Sequence, residues 1–412
     1  MTSRERVLRA ANHQEPDRVP VDLGGTFVTG IMAQALAQLR RRLGLDDRPV
    51  KVIDAWQMLG EVELDLVERF HVDVLPVQPP ALTLGLRREN WKPWELPDGT
   101  RVLVPGQFDV DRDAHGNWLL HAPDHTERPV IAQMPSGGYY FDQVGFGDWD
   151  PDFQPPPVEE LRREAAKWQI GHDTLRYLGD QARLLRSNSD KALVMGPCGT
   201  GVHYVGTFPE FLCLLSTDKE YVRDLFALSA EMSLANLELL WEAVGPNADF
   251  IFVTGLDFGT QNGEFMSPAT FEELYVPPLE AQFRWIHQHT TWKTWEHCCG
   301  SIPRLIPHMV DAGLDVLNPV QTSAAGMDPH WLKDAFGDRL TFWGGGVETQ
   351  STLAFGTPEQ VREEVRERMR IFAPGGGFVF CPVHNIQHGV HPENIIAAYE
   401  AALEYGQYPI RC

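Results

Sequence analysis

Long apolar runs are missing from this sequence. Across its 412 residues no stretch approaches 18 uninterrupted apolar positions, which predicts no transmembrane helix. The opening residues, MTSRERVLRAANHQEPDRVP, hold no apolar segment of a secretory signal, so the expected location is the cytoplasm. Positive charge is also short. Lys and Arg number 35 against 57 Asp and Glu, a formal net charge of −22. Such a surface repels phosphate backbones and anionic lipid, which argues against nucleic-acid and membrane-surface roles. Six cysteines are too few for a disulfide scaffold. No G-x-G-x-x-G turn opens a helix after a first strand, so the dinucleotide-binding fold lacks its main signal.

Hydrophobic residues make up 43% of the chain, enough for a large core and too many for disorder. Short apolar runs near residues 20, 75, 193, 251, 293, 316, 341 and 379 each precede a segment with helical period. Several of those helices open on proline, as at Ser267-Pro268, Asp328-Pro329, Thr357-Pro358 and His391-Pro392. Strand followed by helix in eight successive units predicts an α/β fold, a closed (β/α)8 barrel of the TIM type. Residues 80–150 break the rhythm. Turn signals such as PDGT and DAHGN separate short alternating runs, which predicts a β-meander inserted into the barrel. The expected organisation is a single barrel domain over residues 1–412 carrying that β subdomain.

Catalytic groups of such barrels come from the C-terminal ends of the strands. After 250–253 stands TGLDFGTQN, bringing Asp257, Gln261 and Asn262. After 291–295 stands EHCCG, after 315–317 NPVQ with Gln321, after 340–343 GGGVE with Glu348, and after 377–380 CPVH with Cys381 and His384. Asp22 ends the first strand. His297, Cys299 and Cys381 make a soft three-ligand set of one imidazole and two thiols, suited to Zn²⁺, with His384 as a competing ligand. Strand alternation sends His297 and Cys299 to one side and Cys298 to the other, into packing.

The segments RERVLRAANHQEPDRVPVD, DFGTQNGEFMSPATF, HCCGSIPRLIPHMVDAGLDVLNPVQ, GMDPHWLKDAFGDRLTFWGGGVETQ and GGGFVFCPVHNIQHGVHPENI resemble the uroporphyrinogen decarboxylase superfamily. The likeness spans nearly the whole chain and is weakest over 80–190. It implies a TIM-type barrel and two activities: porphyrinogen decarboxylation, or methyl transfer in service of corrinoid proteins. Decarboxylases of the family carry an arginine-rich motif, RxxGRYxPE, that grips propionates. Here the corresponding stretch is GGTFVTG over 24–30, without arginine.

The methyltransferase branch, and cobalamin-independent methionine synthase on the same barrel, use a His-x-Cys…Cys zinc set. His297, Cys299 and Cys381 match that pattern residue by residue. Where the synthase pattern has a fourth, glutamate ligand, this chain has Gln321. The fourth position then falls to Glu348, water or substrate. Glu348, Glu363 and His384 also fit an E-x14-E-x20-H zinc spacing described for corrinoid-dependent O-demethylating methyltransferases. Glu363 lies in the run PEQVREEVRERMR, where a solvated charged face explains it.

The expectation is a zinc-dependent methyltransferase moving a methyl group between a small ether, amine or thiol and a corrinoid, as methylcobalamin or a corrinoid protein. Asp257 and Glu348 are the expected catalytic groups. Asp22, Gln261, Asn262, Gln321 and His384 are the expected substrate contacts. A separate corrinoid protein is the expected partner, because no D-x-H-x-x-G cobalamin motif occurs in the chain, and the family likeness implies a homodimer. The alternatives are a metal-independent decarboxylase and a non-catalytic corrinoid- or ligand-binding barrel.

Overall fold

Seven parallel strands form one curled sheet: β1 Val74–Val77, β2 Ala192–Met195, β3 Phe250–Thr254, β4 Lys293–His297, β5 Val316–Asn318, β6 Thr341–Trp343 and β7 Phe378–Val379. They lie side by side in chain order. The computed structural model describes residues 1–81 and 83–412. The two edges of the sheet meet through residues 20–22. Asp22 N–H donates to the Phe380 carbonyl, Phe380 N–H to the Pro20 carbonyl and Asp73 N–H to the Val21 carbonyl, each at 2.8 Å. The eighth strand expected at 19–23 is therefore reduced to a bridge at Val21, because Pro20 has no N–H to extend the ladder. A TIM-like barrel results.

Strand alternation decides what fills it. Val74, Val194, Phe250, Phe252, Trp295, Val316, Trp343, Val379 and Cys381 form the inward layer. Trp295 stacks on Trp343 with centroids 4.9 Å apart, and Phe252 stacks on Trp295 at 5.5 Å. The next inward positions on β4 and β5 are His297 and Asn318, which pair directly in register. A packed aromatic floor thus lies beneath the two residues that end those strands. At the opposite end the helix Ser3–Ala11, opened by a Thr2–Glu5 capping box, sets Val7 and Ala11 against the same layer. Arg6 and Arg18 each reach the fully buried Asp73 at 2.7 Å and fasten this closure.

Two predicted helices are each split. The long helix after residue 156 becomes Val158–Glu164 and His172–Asn188, with Gly171 capping the second. Its interruption is held by Ile170 N–H donating to Asn236 Oδ1 at 3.0 Å. The helix expected over 267–289 divides at Tyr275 into Pro268–Leu274 and Val276–His289, ahead of Pro277 and Pro278.

The hairpin strands of the 80–150 region fall into two small sheets, not one meander. The first joins Lys92–Glu95 and Arg101–Val104 to Val50–Asp54 and Leu59–Gly60, segments the sequence reading left without strand structure. The second holds Val110–Arg112, Trp118–His121, Val130–Met134 and Asp142–Gln143. Trp94 packs edge-on against Phe108 and Trp118, tying the two together. Among the described residues no helix is long and apolar enough to cross a membrane.

Candidate metal centre

His297 is the last residue of β4 and is buried, turned inward above Trp295 by the period-2 register. Its Nδ1 lies 2.6 Å from Asn318 Oδ1. Asn318 is itself oriented, since its amide nitrogen donates to the Trp343 carbonyl at 2.8 Å. An acceptor at Nδ1 places the proton there and leaves Nε2 as a bare lone pair. That Nε2 faces Cys299 Sγ at 3.3 Å. The ligand atoms of His297, Cys299 and His384 all lie within 4.8 Å of one another.

Cys299 is held from two sides. Its N–H donates to Asp257 Oδ1 at 2.7 Å, and the next residue, Gly300, donates to Gln321 Oε1 at 2.7 Å. Gly300 has φ +92°, and a Cβ there would meet the Gly259 carbonyl at 2.4 Å. Only glycine lets these two loops touch.

Burial sets the protonation states. It lowers His384 to about 4, with His297 adding to the effect and Asp257 opposing it. Burial also lowers His297, against the pull of Asp257 and Asn318. Both imidazoles are thus neutral near pH 7 and available as ligands. Burial raises the Cys299 thiol, and the Asp257 carboxylate raises it further. Only a cation beside the sulfur would hold it as thiolate at neutral pH. The donor chemistry fits a soft divalent ion. The 3.3 Å between His297 Nε2 and Cys299 Sγ is close to the separation of two ligands about 2.0 and 2.3 Å from one zinc.

Cys381, expected as the second thiol, is not in this group. It continues the inward register of β7 and belongs to the aromatic-lined core layer. Its sulfur lies 3.3 Å from where a Cβ on Gly344 would stand, and Asp22 is the charge that acts on it. The chain then passes Pro382, and His384 takes the place beside His297, with ring centroids 5.5 Å apart. Cys298 turns to the outer core and accepts the Phe258 N–H at 3.3 Å.

A cavity of about 310 Å³ opens over the group, lined by Cys299, His384, Gln261, Gln321, Thr349 and Gln350 among others. Asp257 stands at Cys299, as above. Asn262 is exposed on the same loop and does not line the cavity. Asp22 is fully buried away from it, accepting from Trp343 Nε1 and Gly25 N–H at 2.8 Å each. Burial raises the Asp22 carboxyl to about 6. Glu348 does not face the cavity either. It sits behind the 349–350 turn, with Oε1 accepting the Gln350 N–H at 3.2 Å and its own N–H donating to Glu364. Glu363 is exposed on the helix Pro358–Phe372 and pairs with Arg366. Asn318 and Gln350 were not singled out in the sequence. Asn318 was discoverable, because a residue in register with a strand-end histidine is placed to orient it.

A parallel barrel with an imidazole–thiol–imidazole group at the C-terminal mouth of its strands defines a class of site-bearing TIM-like proteins. Within that class the uroporphyrinogen decarboxylase (URO-D) family model matches residues 143–405, more than half of the chain, and the chain belongs to that family. Among solved structures, a methyltransferase from Methanosarcina mazei is similar over 98% of this chain and 99% of its own, with a TM-score of 0.58 and 16% identity. That likeness is one of fold. The homocysteine methyltransferase MmuM from Escherichia coli, in its apo form, aligns over 62% of this chain and 78% of its own at 10% identity and a TM-score of 0.26. An overlap that loose carries no argument. No curated protein matches the sequence.

Proposed function

We propose that this protein is a methyltransferase that uses zinc and exchanges a methyl group with a corrinoid. The observation that carries the reading is the convergence of His297 Nε2, Cys299 Sγ and a His384 ring nitrogen at the barrel mouth. Family membership and the fold shared with a methyltransferase support it. The metal-free decarboxylase alternative lacks the arginine motif expected to grip propionates, since residues 24–30 are GGTFVTG.

In this reading His297, Cys299 and His384 hold the ion. Bound zinc supplies Lewis acidity, lowering the pKa of a coordinated thiol or polarising a methyl donor. The chain's own residues do the rest. Asn318 keeps the His297 proton on Nδ1. Asp257 and Gln321 fix the 299–300 backbone so that the sulfur keeps its place. Asp257, exposed beside the group, is proposed as the proton-carrying or orienting group toward substrate. Gln261 and Gln321 are proposed as substrate contacts. The corrinoid is proposed to arrive on a separate carrier, because the sequence has no D-x-H-x-x-G run. The homodimer and cytoplasmic location stand as further parts of this proposal.

Metal analysis coupled to a methylcobalamin assay tests it. About one zinc per chain, with methyl transfer that disappears together with the metal in Cys299→Ser, is the expected result. Full activity in metal-free protein would refute it.

A further inference from the structure

His384 stands on an irregular segment after β7. His297 has Asn318 to orient it, but among the described residues no hydrogen bond reaches the His384 ring. Backbone bonds fix the segment on either side. Val383 N–H donates to the Val347 carbonyl and Ile386 N–H to the Gly30 carbonyl, each at 3.0 Å. The two residues between are placed by side chains. Asn385 is fully buried. Its Oδ1 accepts the Gly30 N–H at 2.6 Å, and its Nδ2 donates to the Phe27 carbonyl and to Gln57 Oε1 at 2.9 Å each. Its carbonyl accepts from Gln387 Nε2 at 2.9 Å, and Gln387 Oε1 accepts the Tyr140 hydroxyl at 2.6 Å.

The outer partners, Gln57 and Tyr140, belong to the two small sheets outside the barrel. Gln57 lies in the turn between Val50–Asp54 and Leu59–Gly60, and Tyr140 in the link between Val130–Met134 and Asp142–Gln143. Tyr139, beside it, stacks on His388 with centroids 3.9 Å apart. Phe141 is buried, and its N–H donates to the Trp56 carbonyl at 2.9 Å, so the link and the turn are also joined to each other. Two sheets that contribute no candidate ligand therefore converge on residues 385–388, directly after His384.

We propose that the two small sheets form a brace that sets the position of His384, with Tyr140 and Gln57 as positioning residues. The proposal rests on the reading of His384 as a metal ligand. A ring without a hydrogen-bond partner takes its place from its backbone, and Tyr140 holds that backbone through Gln387 and the Asn385 carbonyl. Without the Tyr140 hydroxyl the Gln387 amide can turn away. The 384–385 unit then gains freedom that metal binding must remove. Groups that orient a ligand carry about 10- to 100-fold in metal affinity, and Tyr140 and Gln57, acting one step further out, belong at the lower end.

Chelator competition for zinc and the visible spectrum of the cobalt(II)-loaded protein test this together. Tyr140→Phe and Gln57→Ala are each expected to weaken zinc by about 10-fold and to shift the cobalt spectrum toward that of His384→Ala. The two variants reach the segment from different sheets, so the test survives if one of them fails to fold. Tyr139→Phe removes a hydroxyl without a protein partner among the described residues and keeps the stacked ring, so it should match wild type in both readouts. Wild-type affinity and spectrum in both Tyr140→Phe and Gln57→Ala would overturn the proposal. So would lower unfolding stability with an unchanged cobalt spectrum, which would leave the sheets as packing alone, or an equal loss in Tyr139→Phe. Wild-type protein that takes up neither metal would remove the metal reading and the brace with it. Metal uptake by wild type that both variants reproduce would remove the brace alone.

Discussion

His297 Nδ1 and Asn318 Oδ1 stand 2.6 Å apart at the ends of two adjacent strands, and that bond decides which nitrogen the histidine turns toward Cys299 Sγ. Asn318 can serve only because its other end is anchored on the Trp343 carbonyl. In the proposed metal site, a side chain outside the ligand set thereby fixes which lone pair His297 offers.

Asn318→Ala should weaken zinc affinity by about 10- to 100-fold, measured by chelator competition. Asn318→Asp keeps an acceptor for Nδ1–H but loses the NH₂ that anchors it on the Trp343 carbonyl, so it should recover only part of that loss. Equal affinity in the alanine variant and wild type would show that the imidazole is oriented by other means.

A pair of variants tests whether His384 or Cys381 completes the proposed ligand set. His384→Ala should purify with little zinc, whereas Cys381→Ser should keep its metal and lose stability alone, because that sulfur is packed in the core layer. The opposite pattern would restore the two-thiol set.

Gly300→Ala should cost at least about 2 kcal/mol in denaturant unfolding and reduce metal content, because a positive φ and a backbone contact at 2.4 Å both oppose a Cβ. A wild-type melting temperature and full metal content would contradict the tight contact between the 259 and 300 loops.

Glu296 faces the outer core, fully buried, with neither carboxyl oxygen partnered. Burial raises it to about 8 from 4.5, so the native state holds a proton that the unfolded chain releases. The stabilising contribution is complete below pH about 4.5 and is lost as pH rises through about 8. Wild type should therefore lose stability relative to Glu296→Gln by up to about 1.4 kcal/mol per pH unit across that window. Urea titrations from pH 4 to 8 measure it, and parallel curves would count against a neutral buried acid.

The barrel was legible in the sequence because strands buried on both faces read as continuous apolar runs, each followed by a segment of helical period, several of which open on proline. His297 and Cys299 were legible through strand alternation. The choice between Cys381 and His384 was not. Both follow β7, and depth within the barrel depends on how Pro382 redirects the chain. Val50–Asp54 was missed because its local partner Leu59–Gly60 is only two residues long and its other partner, Arg101–Val104, is far away in sequence. That Glu348 lies outside the cavity lining was not legible either, because a strand-end position does not reveal which way a turn faces.

The bridge at Val21 joins residues near opposite ends of the chain, with Val21 meeting Phe380 and Ile31 meeting Ile386. During synthesis, at about 5–20 residues per second, the first stave emerges tens of seconds before its partner exists. The ring cannot close until then, and β1 waits with one flank open. Nascent chains arrested before residue 378 should expose both sheet edges and bind holding chaperones, while release of the last staves should bury the two edges in a single event.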